Sequence, residues 1–85
     1  MRSASIAGEG ILKILVLNCG SSSIKYQLID MDKRRAIARG IVARIGEKRS
    51  YIRHRTEEGE IFGEMPIRDH VKGLEIVISY LLDKK

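Results

Sequence analysis

Between Asn18 and Lys25 the sequence reads Asn-Cys-Gly-Ser-Ser-Ser-Ile-Lys, and most of these residues carry a group that can face an anion. Ser21, Ser22 and Ser23 supply hydroxyl donors close together, while Gly20 admits close approach of backbone N–H groups and a positive φ at low cost. Lys25 brings a compact positive charge, and the Asn18 amide oxygen can ligate or orient a hydrated divalent cation. Phosphate oxygens are the natural partners of such convergent donors. The spacing differs from the Gly-Lys-Ser/Thr loop that opens a helix and from Gly-x-Gly-x-x-Gly. On the residues alone two readings stay open: a phosphate-holding hairpin, or an ordinary tight turn whose serines bond their own backbone.

A loop of this kind has to be held by what flanks it. Ile11 to Leu17 is a nearly continuous apolar run, the pattern of a strand covered on both faces. Ile24 to Asp30 resumes with β-compatible residues, so the small residues between form a hairpin. Ala36 to Ile45 sets Ile37, Ile41, Ala43 and Ile45 at period two, which predicts a third strand. Tyr51 to Thr56, polar on both faces, and Glu60 to Met65 read as a hairpin near a sheet edge, where charge is tolerated. After Pro66, Asp69 caps a helix over His70 to Leu82. Its oily face carries Val71, Leu74, Ile78, Leu81 and Leu82, and Lys84 and Lys85 sit where cations favour its C-terminal end.

The expected fold class is therefore α+β, a mainly antiparallel five-stranded sheet with a C-terminal helix on one face. One helix leaves the second face of the Ile11 to Leu17 strand bare, which implies further polypeptide. Residues 1–10 show no periodicity and read as a flexible leader, and residues 11–85 as a partial domain.

The 85-residue length bounds this to one small domain. A hydrophobic fraction of 44% with 32% charged residues is that of a folded soluble chain rather than a disordered one. The single cysteine, Cys19, reads as a packed turn residue; it excludes an internal disulfide, lacks the companions of a zinc site and fits a reducing, cytoplasmic setting. No signal peptide is legible, and no run approaches the roughly 20 apolar residues of a membrane span. A net charge of +5 suits either a solvated basic face or a polyanion-binding one. The second case would be a small nucleic-acid-binding module using Lys33 to Arg39 and Lys48 to Arg55, with Tyr51 as stacking residue. His54 and His70 read as surface or helix-start residues.

Asn18-Cys19-Gly20-Ser21-Ser22-Ser23-Ile24-Lys25-Tyr26-Gln27-Leu28-Ile29-Asp30 closely resembles the opening motif of acetate kinases. Ala38-Arg39-Gly40-Ile41-Val42, Arg44-Ile45-Gly46 and Asp69-His70 follow in the family's order. The resemblance spans Ile11 to Leu82, and Tyr26-Gln27-Leu28 favours acetate over propionate kinases. It implies a ribonuclease H-like N-terminal portion of the actin and sugar-kinase superfamily, in which the first hairpin wraps nucleotide phosphates. Carried onto matching positions, it implies Asn18 as a Mg²⁺-associated residue, Lys25 as an ATP-binding residue, Gly20 as part of the phosphate loop, and Ser21 and Ser23 as hydroxyls near the transferred phosphoryl group. The implied activity is reversible phosphoryl transfer between ATP and acetate in a cytoplasmic homodimer, with no role for nucleic acid or a membrane. The family's catalytic residues lie in later segments, so no catalytic residue is assigned here and the 85-residue chain alone is expected to be inactive.

Overall fold

The computed structural model describes residues 2–8 and 11–82, with side chains from Leu12 onward. β-Rich segments separated by turn residues pair with their sequence neighbours throughout, because short polar turns reverse the chain and antiparallel partners need no crossover. The result is a six-stranded antiparallel sheet in simple chain order: β1 (Arg2–Gly8), β2 (Ile11–Cys19), β3 (Ile24–Asp30), β4 (Arg35–Ala43), β5 (Tyr51–Thr56) and β6 (Gly59–Glu64). A single helix, α1 (His70–Leu82), closes the described chain. Five strands and the helix are those the sequence predicts, close to their expected bounds.

The sixth strand is a departure. Residues 2–8, expected within a leader, run antiparallel to β2 from Arg2 opposite Leu17 to Gly8 opposite Ile11. Backbone pairing to a free strand edge needs no alternation of side chains, so hydrophobic pattern gives no notice of it. Residues 1, 9 and 10 of that leader lie outside the described residues, as do Lys84 and Lys85 and their expected place at the helix end.

Alternation along the strands divides the sheet into two faces. Leu15, Ile24, Tyr26, Val42 and Ile52 point to the helix side and meet Val77 of α1, with Ile45 and Ile67 packed in from loops. Three expectations shift here. The buried β4 residues are Ala38, Val42 and Ala43, while Ile37 and Ile41 are half-buried on the face away from Ala38 and Val42. β5 is polar on one face only, since Ile52 and His54 are buried beneath the helix. The expected two-sided cover of β2 is present on the Leu15 side alone, leaving Ile14 and Val16 half-buried and Leu12 exposed.

The helix is also rotated from its expected orientation. Its buried residues are Gly73 and Val77, flanked by half-buried Ile76, Tyr80 and Leu81, whereas Val71, Ile78 and Leu82 are exposed. Gly73 explains the rotation. A Cβ there would stand 3.2 Å from Ile24 Cδ1 and 3.5 Å from Ile45 and Val42, so the helix seats its backbone on the sheet at this point. An apolar-periodicity argument cannot see a residue that packs by having no side chain.

Candidate phosphate-binding hairpin

The β2–β3 ladder places Asn18 directly opposite Lys25, and Cys19 opposite Ile24 closes the strands before the turn. Asn18 and Lys25 therefore stand side by side on the face away from the helix, both exposed. Strand alternation puts the neighbouring Ile24 on the other face, where it is 1% exposed and anchors the hairpin in the core. Two adjacent residues thus divide the work, one fixing the turn and the next presenting charge.

The turn itself, Gly20 to Ser23, is held by its carbonyls. Gly20 N–H donates to Ser23 O at 2.8 Å, Ile45 N–H donates to Ser22 O at 3.0 Å, and His70 Nε2 lies 2.8 Å from Gly20 O. A carbonyl only accepts, so His70 Nε2 carries the proton. Among the described residues no hydrogen bond engages the N–H groups of Ser21 and Ser22 or the three serine hydroxyls, and Ser21 and Ser22 are exposed. The alternative in which the serines bond their own turn is not the arrangement seen. Gly20 does not adopt the positive φ that the sequence suggested; the left-handed glycines are Gly46 and Gly59. Its small size matters instead, since a Cβ would come within 3.0 Å of Ser23 Oγ. Cys19, expected to pack, is exposed.

Support for the turn extends beyond β2 and β3. After β4 the chain turns through Arg44, at φ 57°, which delivers Ile45 to the core and its N–H to Ser22. Ser50, fully buried, locks this loop: its hydroxyl lies 2.7 Å from Arg44 O and 2.8 Å from Glu47 O and accepts from Ile67 N–H at 3.2 Å. Gly46 N–H donates to Ile67 O at 2.7 Å, so the segment ahead of the helix is tied to the same loop.

A cavity of about 490 Å³ runs along the open face from Asn18 and Lys25 past Val16 and Ile41 to Arg39, Arg53 and Arg55. Gly20, Ser21 and Ser23 do not line it, so the sequence-derived site divides into a loop and an adjoining groove. Much of the basic character is locally balanced. Glu60 pairs with Arg53 at 3.2 Å and Arg55 at 3.1 Å, and Glu64 with Arg49 at 2.9 Å. The Tyr51 ring packs on Phe62 with centroids 5.3 Å apart, under the Arg53 guanidinium. The basic strand expected to read nucleic acid thus meets an acidic neighbour, and its aromatic residue already packs, tilted, against Phe62.

Both histidines carry more than their sequence context showed. His54 is buried, against the expected surface position, and its Nδ1 is hydrogen-bonded to the Tyr26 hydroxyl at 2.6 Å. Burial lowers the His54 pKa and keeps the ring neutral; burial, with a smaller contribution from Tyr80, raises that of Tyr26, so the phenol keeps its proton. His70 does begin the helix, yet its contact with a residue fifty positions earlier had no signal in local sequence.

Residues 13–85 match the model of the acetokinase family. The acetate kinase of Clostridium botulinum is 47% identical over 74 residues, covering 87% of this chain and 19% of that enzyme. That of Halothermothrix orenii is 49% identical over 75 residues with the same coverage. Among solved structures, Porphyromonas gingivalis acetate kinase superimposes with a TM-score of 0.78 at 37% identity, over 85% of this chain and 18% of that one. A Francisella tularensis propionate kinase gives 0.74 at 28% identity, over 81% and 18%. This chain spans about a fifth of the length of the relatives it matches. With the hairpin, β3 to β6, the helix and all of β2 from Lys13 onward inside the matched region, the chain belongs to the acetokinase family.

Proposed function

We propose that this segment supplies the phosphate-binding hairpin of an acetate kinase, a longer enzyme that transfers a phosphoryl group reversibly between ATP and acetate to give ADP and acetyl phosphate. The observation that carries this reading is the polarity of the turn. The carbonyls of Gly20, Ser22 and Ser23 are tied to protein donors, which leaves the N–H groups of Ser21 and Ser22 and the serine hydroxyls available beside the Lys25 ammonium. Phosphoryl transfer asks a protein mainly to position the phosphates and neutralise their charge, and such a turn is suited to both.

In this reading Ser21 and Ser23 hydroxyls and the loop N–H groups beside Gly20 hold phosphate oxygens, and Lys25 neutralises them. Asn18 offers a single amide oxygen, and no group of three His, Cys, Asp or Glu among the described residues could cage a metal. That donor set fits Mg²⁺ with water and phosphate oxygens as its other ligands, since Mg²⁺ commonly keeps several waters in phosphate sites. When bound, Mg²⁺ would supply further neutralisation of the phosphate charge.

The test is ADP formation by a kinase-length protein carrying this segment, with acetate present or absent and Mg²⁺ present or chelated. Turnover that needs both supports the reading, and turnover with neither acid nor metal required would sink it. The 85-residue chain alone should show no turnover, because it provides one side of a site and no acetate-binding groups are assigned to it. The likeness to a propionate kinase favours a second reading, propionate as acceptor, which relative kcat/KM values for the two acids separate. A cytoplasmic homodimer is part of the same proposal, and sedimentation of the kinase-length protein checks the dimer.

A further inference from the structure

We infer that His70 is a positioning residue for phosphoryl transfer: its Nε2–H, held at the start of α1, fixes the Gly20 carbonyl and thereby aims the Ser21 to Ser23 donors outward. This rests on the proposed kinase reading for its role in turnover, whereas the tether belongs to the chain itself.

Three features carry it. The 2.8 Å contact spans fifty residues and joins the hairpin to the helix, so it cannot be a by-product of local turn geometry. Its placement is determined at the helix end. Asp69 Oδ1 accepts from Lys72 N–H at 2.9 Å as an N-cap, and Gly73 N–H donates to Asp69 O at 3.0 Å, which sets His70 in the first turn. Gly73 then seats that turn against Ile24, the residue immediately after the serine loop. The helix start and the loop are consequently held against one side chain, and His70 reaches the loop from a fixed base.

The chemistry favours a carbonyl clamp over a direct ligand role. If Gly20 O were free, a peptide flip would turn an acceptor toward the position where phosphate oxygens would lie, placing like partial charges together. With Gly20 O held by His70 and Ser22 O by Ile45 N–H, two successive alternate carbonyls are tethered and the intervening N–H groups keep their direction. Preorganised donors of this kind stabilise charge without reorganising when it develops.

The test compares His70→Ala with His70→Gln, whose amide N–H can still donate to Gly20 O. In the 85-residue chain, the Gly20 carbonyl ¹³C shift and the amide order parameters of Ser21 to Ser23 should change in His70→Ala and return toward wild type in His70→Gln. In a kinase-length enzyme carrying the segment, His70→Ala should lower kcat/KM for ATP by about five- to tenfold, as expected for one lost hydrogen bond. The KM for acetate should stay within about twofold and the Gln variant should recover most of the loss, outcomes that a general loss of stability would not give. Unchanged order parameters in His70→Ala would overturn the tether, and a mobile loop with unchanged ATP kinetics would overturn the positioning role. An inactive wild-type enzyme would instead overturn the kinase reading, with the tether still decided on the chain.

Discussion

Two turns of the same sheet, reached by strands of similar length, are held in opposite ways. The turn between β3 and β4 is closed by its own residues: Asp30 Oδ1 accepts from Asp32 N–H at 2.9 Å and Lys33 N–H at 3.3 Å, and Arg34 adopts φ 56°. Apart from Met31 N–H, which donates to Leu12 O of β2 at 3.0 Å, the bonds that shape it lie within five residues, and Lys33 and Arg34 project into solvent. The turn between β2 and β3 has a single bond of its own, from Gly20 N–H to Ser23 O; its Ser22 and Gly20 carbonyls are held by Ile45 and His70 from distant elements. The β3–β4 turn uses its own polar groups on itself, whereas the proposed phosphate turn has carbonyls arranged by distant elements and its serine hydroxyls left available.

The largest test of that difference is charge removal at equivalent places. Lys25 and Lys33 are both exposed lysines at the ends of β3, one beside each turn. In a kinase-length enzyme, Lys25→Ala should reduce turnover more than about tenfold, because a cation beside the transferring phosphates is lost. Lys33→Ala should leave the rate within about twofold. Equal losses at both positions would mean that general basicity, not the first turn, carries the effect.

A second test removes the support rather than the contact. Ser50→Ala takes away the hydroxyl shared among Arg44 O, Glu47 O and Ile67 N–H in a fully buried site, and should cost about 1–3 kcal/mol. Urea unfolding of the chain measures this, and faster exchange of the Ile45 amide would show that support of Ser22 has loosened. Asp30→Ala removes two exposed bonds at the other turn and should cost about 0.5–1 kcal/mol, with the Ile45 amide unaffected. If the two substitutions had equal effects, the first turn would be no better buttressed than the second.

Much of this architecture is legible in the sequence because it is local. Alternating or continuous apolar runs locate β2 to β6, Pro66 and Asp69 mark the helix start, and the clustered serines identify the turn. The motif also names Asn18 and Lys25, and strand register then makes them neighbours. What escapes the sequence depends on contacts between distant residues or on side chains that are absent. Gly73 rotates the helix through a missing Cβ, β1 pairs through backbone alone, and Ser50 and His70 become structural only when the loops meet. His54 reads from the sequence as a surface residue, yet strand alternation sends the flanking Arg53 and Arg55 to the open face and the histidine under α1.

That buried histidine gives the smallest effect and a control on the comparison. Burial lowers its pKa below the unfolded value of about 6.5, so between the two values the unfolded chain binds more protons than the folded one. Stability should therefore be fully present above about pH 6.5 and decline as pH falls through the folded-state value. Protonation would also fix the direction of the contact with Tyr26, since imidazolium Nδ1–H can only donate, to the hydroxyl oxygen. Thermal unfolding between pH 7.5 and 5 should show this decline in the wild-type chain and a flatter profile in His54→Gln, with other titrating groups common to both. Because His54 lies on β5, next to the edge strand β6, and packs on Tyr80 of α1, acid should loosen the seating of α1 on the sheet. Amide exchange that accelerated at Ser21 to Ser23 alone on acidification, with α1 unaffected, would instead show that His54 does not carry the effect.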